Sequence, residues 1–125
     1  NWMPTAHHNN PAIMEYIDKF LELNVQKRYI ADRGPRLFYL WGHSYEFSRK
    51  QNWEHLEQIC QKLGGKDDIW YATNIEIYDY IAAYNQLIFS MDYKRVYNPT
   101  CTTLYFKTGK GLYTVKPGET LNYEF

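Results

Sequence analysis

His43 is the residue of this chain best placed to move a proton. It follows Gly42 at the end of an apolar run, Leu37-Phe38-Tyr39-Leu40-Trp41. Such a run, bounded by turn residues, predicts a strand buried on both faces. In α/β architectures functional groups gather at the carboxyl ends of parallel strands, and an imidazole takes up and releases a proton near neutral pH. Position alone leaves a second reading open, a histidine packed under Trp41 and Tyr45 without a chemical role. Glu46, three residues on, could orient the ring as its carboxylate partner. His7 and His8 are adjacent, a poorer spacing for two ligands of one ion than residues on one helix face. They read as an exposed loop pair, one of which could line a cleft. His55 reads as part of a solvated helix face. Trp41, Trp53 and Trp70 fall at expected core positions, and Trp2, Tyr39 and Tyr45 suit a cleft. Trp41, which also flanks His43, joins Tyr45, Glu46, His7 and His8 as a candidate for lining or orienting that cleft.

Other chemistries find no support. The chain has no glycine-rich phosphate loop, no Cys/His zinc spacing and no Gly-x-Ser-x-Gly elbow. Fourteen basic residues balance fourteen acidic ones, so the clustered positive charge that nucleic-acid binding needs is missing. No stretch is long and apolar enough to span a bilayer. Thirteen tyrosines lift the aromatic fraction to 18%. Rings with an apolar face and a polar edge suit a wet or sugar-binding surface as well as a core. Of the two cysteines, Cys60 falls on an apolar helix face and reads as a small buried hydrophobe. Cys101 lies among threonines, and nothing in the spacing requires a bridge between them.

These side chains must be positioned by a mixed set of elements. Asn10-Pro11 is a helix start, and Ile13, Ile17, Phe20 and Leu21 share one face, which predicts a helix over 11–24. Residues 25–36 read as a connection. After the Leu37–Trp41 strand a helix is expected over about 52–63, with Trp53, Leu56, Ile59, Cys60 and Leu63 on one stripe and Gly64-Gly65 as its stop. Asp67-Asp68 reads as a turn before a second buried strand, Ile69–Ala72. Thr73 and Glu76 form a capping box opening a helix that carries Ile77, Ile81, Tyr84 and Ile88. Beyond Met91 the pattern becomes short strands, Arg95–Tyr97, Leu104–Lys107, Leu112–Val115 and Leu121–Tyr123. Asn98-Pro99, Gly109-Lys110-Gly111 and Pro117-Gly118 separate them. Strands alternating with helices predict a parallel sheet. Two such strands cannot make a stable sheet by themselves, so a chain that opens on Asn1 is expected to be part of something longer.

The segment Leu37–Phe47 (Leu-Phe-Tyr-Leu-Trp-Gly-His-Ser-Tyr-Glu-Phe) resembles the last part of the NodB-type polysaccharide deacetylases, carbohydrate esterase family 4. So do Trp53-Glu54, the stretch Asp68–Asn74 and the tail near Val115–Thr120. Pro4–Asn9 resembles a segment just upstream in a bacterial branch of that family. The resemblance implies an α/β fold: residues 1–93 as the C-terminal α-β-α-β-α portion of a deformed NodB-like (β/α) barrel, with 94–125 a β-rich hairpin or meander tail packed on it as one structural unit. It implies a hydrolase that removes acetyl groups from N-acetylglucosamine-type polysaccharide or oligosaccharide, often outside the cell or in its envelope. His43 then matches the histidine that protonates the leaving amine. Trp41 stands where the family usually has Leu, and Ser44 where Asp is common. The family's divalent metal, zinc in expectation, is held by a Thr-Phe-Asp-Asp-Gly motif and a His-x-x-x-His motif. Neither is present, so no metal ligand is expected in this chain and the chain alone is expected to be inactive. The competing expectation is a non-catalytic carbohydrate-binding module, or a structural unit that self-associates through exposed sheet edges.

Overall fold

A computed structural model of the protein describes residues 5–22 and 36–124. Trp2, the helix end expected at 23–24 and all but Arg36 of the connection expected at 25–36 lie outside the described residues. Two compact units divide the chain, Asn1–Ile69 and Trp70–Phe125, and each has its own buried core. Helix and strand are mixed, in keeping with α/β at the coarse level. Among the described residues the strands make two- and three-stranded sheets and close no barrel.

In the first unit, strand β1 (Ala6–His7) leads into helix α1 (Ile13–Glu22). Asn10 opens the turn that leads into the helix, which begins at Ile13 rather than Pro11: its side-chain oxygen accepts the Ala12 amide at 2.9 Å and its carbonyl accepts that of Ile13 at 3.0 Å. Ile13 and Ile17 then point inward and meet Ala6 and Ile59, with Met14, Leu21, Phe38, Leu40 and Leu63 around them. Strand β2 (Leu40–Trp41), helix α2 (Ser44–Lys50) and helix α3 (Trp53–Leu63) complete the unit. β1 and β2 run parallel, with Ala6 opposite Leu40 and His7 opposite Trp41.

The expected parallel pairing is therefore present, but with different partners. The Leu37–Trp41 run shortens to Leu40–Trp41 and is not buried on both faces, since Leu37 and Trp41 are about half exposed. Its only ladder among the described residues is β1. Ile69–Ala72 forms no strand; it has no partner strand among the described residues, and Trp70 is 59% exposed. The three tryptophans expected in the core, Trp41, Trp53 and Trp70, are all exposed. α3 buries Ile59 alone, and Cys60, one residue further round the helix, is exposed rather than buried. Both cysteines are free thiols.

In the second unit, helix α4 (Asn74–Tyr84) opens on the expected capping box. The Glu76 carboxylate accepts the Thr73 amide at 2.7 Å, and Thr73 Oγ1 accepts the Glu76 amide. The helix ends before Ile88, which belongs instead to strand β3 (Ile88–Phe89). β3 pairs with β4 (Arg95–Tyr97), and β4 pairs with β7 (Thr120–Asn122), all antiparallel. β5 (Leu104–Lys107) and β6 (Leu112–Val115) form the hairpin that the Gly109–Gly111 turn predicts. Alternation sends Leu104 and Phe106 inward, to join Ala83, Val96, Val115 and Tyr123. Asn98, fully buried, donates to the Thr102 and Val115 carbonyls and accepts from the Thr100 amide and hydroxyl. No helix among the described residues is long and apolar enough to cross a membrane.

Candidate functional site

The parallel pairing of β1 and β2 brings two strand ends to one place. The ladder continues one step past β1, where the His8 amide donates to the Trp41 carbonyl at 3.0 Å. β1 then exits through His8-Asn9 and β2 through Gly42-His43. Gly42 has φ +154°, and a Cβ there would sit 1.9 Å from His8 Cδ2. Only glycine lets this backbone pass directly against the His8 ring.

His43 caps α2 in an extended conformation. One turn later Glu46 folds back, and its Oε2 accepts the His43 backbone amide at 3.0 Å. The same oxygen accepts His8 Nε2 at 2.9 Å and lies 3.2 Å from His7 Nε2, while Asn9 Nδ2 donates to Oε1 at 3.4 Å. The His43 amide, first, and the His8 ring hold the Glu46 carboxyl at about 2, well below its usual 4.5. Glu46 thus serves the backbone of His43, and the rings it touches are those of His8 and His7.

The histidine pair departs from the sequence expectation. His8 is 2% exposed, stacked on Phe47 with centroids 4.1 Å apart. His7 lies beside it, edge-on to Trp41 at 4.6 Å. Adjacent residues converge on one oxygen because His7 ends the strand while His8 begins the turn, so the usual alternation of sides breaks between them. His55, expected on a solvated face, is partly buried and donates Nε2–H to the His8 carbonyl at 2.9 Å. Sequence reasoning missed the burial of His8, which it named only as a cleft candidate, and the parts played by His55 and by Gly42. A glycine between a strand and a histidine was the available signal for the third; the other two depend on contacts made across more than 35 positions of chain.

The hydrogens of this cluster can be assigned from its bonds. His7 Nδ1 accepts the Asn9 amide at 3.1 Å, which leaves the ring hydrogen on Nε2. Among the described residues the buried His8 Nδ1 has no hydrogen-bond partner, while its Nε2 lies 2.9 Å from the Glu46 carboxylate and 3.5 Å from Asn9 Nδ2. Among the described residues His7, His8 and Glu46 are the one group close enough to share a cation.

His43 itself is exposed. Its ring stacks on Tyr45 at 5.1 Å with planes 14° apart and meets the edge of Trp41 at 6.3 Å. The Arg49 guanidinium sits 4.6 Å over the Tyr45 ring. Trp41 and Tyr45 therefore flank His43, each about half exposed. A separate open groove, lined by Thr5, Tyr16, Lys19, Phe20, Arg36, Leu37 and Phe38, lies toward the strand starts and includes none of these residues. Comparison with family models, with curated proteins and with solved structures found no match.

Proposed function

We propose that this chain supplies the proton-donor side of a metal-dependent polysaccharide deacetylase, with His43 as the acid that protonates the departing sugar nitrogen. The observation that carries the reading is the seating of His43: an exposed imidazole just past the C-terminal end of a parallel strand pair, its ring steadied between Trp41 and Tyr45 and its amide pinned by Glu46. In the family that Leu37–Phe47 resembles, a divalent ion activates water and polarises the acetyl carbonyl. The motifs that hold that ion are not in this sequence. The finer fold reading, the last portion of a deformed (β/α) barrel with a β-rich tail, stands on the same resemblance.

The test is acetate release from chitooligosaccharide by a longer protein that contains this chain. Replacing His43 by Asn should lower kcat by about 10²- to 10⁴-fold, the usual worth of a positioned acid. The 125-residue chain alone should release none. Unchanged turnover in the His43→Asn protein would remove the proposal.

A second reading, a non-catalytic carbohydrate-binding module, draws on the exposed faces of Trp41 and Tyr45. It predicts a saturable change in tryptophan fluorescence when the chain is titrated with chitooligosaccharide, lost in Trp41→Ala. The deacetylase reading predicts little change from the chain alone.

A further inference from the structure

We infer that His7, His8 and Glu46 form a hydrogen-bonded anchor rather than a cation site, and that through it Glu46 acts as a positioning residue for His43. The inference rests on the proposed role of His43 only for its purpose; the geometry and the test do not depend on it.

The count of hydrogens decides between anchor and cation site. An imidazole that ligates a cation through one nitrogen keeps its hydrogen on the other and donates it to an acceptor. If His7 ligated through Nε2, its hydrogen would sit on Nδ1, directly against the Asn9 N–H that now donates there. For His8 the buried Nδ1 is unsatisfied in either tautomer among the described residues, so the contact of its Nε2 with the Glu46 carboxylate, which can only accept, decides. Both rings instead suit a hydrogen on Nε2, facing Glu46 Oε2.

The His8 ring has little room to turn over. Phe47 stacks on it, the Gly42 backbone lies against it, and His55 on α3 holds its carbonyl. Glu46 is therefore fixed from the β1 side and passes that constraint to the His43 amide. This sets the backbone at the exit of β2, and with it the place where the His43 ring meets Trp41 and Tyr45.

Nitrogen-15 NMR of the whole 125-residue chain tests this. His7 and His8 should both show the Nε2–H tautomer, unchanged by added zinc chloride. In Glu46→Ala the His43 amide should exchange with solvent about tenfold faster or more, as expected for a lost bond to a charged acceptor. The His43 ring protons should lose their stacking shift while those of Phe106 and Tyr123 stay put. Glu46→Gln keeps the side chain's shape and should restore part of both effects. Should Glu46→Ala fail to fold, Glu46→Gln carries the test, with exchange at His43 still faster than in the native chain. Nδ1–H tautomers, zinc-dependent shifts at His7 and His8, or an unaltered His43 amide in these variants would each overturn the inference. None of these readouts involves acetate, so a failed deacetylase assay leaves them standing and their failure leaves that assay open.

Discussion

At the scale of residues, one carboxylate organises the site, and its ionisation has a pH signature. The Glu46 carboxyl is held at about 2 against an ordinary 4.5, so the folded state favours its charged form. The stability it contributes is complete above pH 4.5 and is lost as pH falls towards 2. Glu46→Gln should be less stable than the native chain at neutral pH, and the gap should close across that acid window. Urea midpoints measured against pH for both proteins check this; a gap that does not change with pH would contradict it. Gly42 makes a second prediction. A methyl group at that position meets the His8 ring and must adopt a positive φ, so Gly42→Ala should cost at least about 2 kcal/mol, read from the same midpoints. The candidate residues were legible one at a time: His43, Glu46, Trp41 and Tyr45 stand out at a strand end. Their joint arrangement was not. That His8 is buried and bonded to Glu46 follows from which strand pairs with β2, and a single sequence does not state strand pairing.

At the scale of elements, what could be read depended on whether the determinant was local. β4, β5 and β6 fall on their expected residues because each is bounded by its own turn signal. The start of α4 was equally legible, since Thr73 and Glu76 carry the whole cap. Thr73→Ala should therefore destabilise α4 by about 1 kcal/mol, seen as faster amide exchange over its first turn. The misses have physical causes of their own. α2 buries Phe47 alone, so it shows no apolar period. Ile88 continues the helical spacing of Ile77, Ile81 and Tyr84, yet the chain leaves the helix at Asn85 and pairs Ile88 with Tyr97. The Leu37–Trp41 and Ile69–Ala72 runs look like buried strands because apolar content reports a tendency, whereas burial requires a neighbour to supply it.

At the scale of the whole molecule, two cores of modest size carry a surface with many large apolar side chains, among them Ile75, Tyr78 and Ile81 on α4 and Ile88 on β3. The formal net charge is zero at neutral pH, so little repulsion keeps copies apart. The chain should self-associate as concentration rises, and light scattering coupled to size exclusion should show a mass above 15.1 kDa. A constant monomer mass would count against this. The parallel pairing that builds the site also has a kinetic consequence. β5 and β6 close through a turn between Lys107 and Leu112, a hairpin that forms in roughly microseconds. Thr5 and Tyr39, beside the β1–β2 ladder, lie 34 positions apart, which adds about 1.7 kcal/mol of closure entropy over that hairpin. His43 is thus seated by a contact that must wait longer for its partner than the β5–β6 hairpin does. It should be among the later features to appear in refolding and among the first to come loose when the chain opens locally.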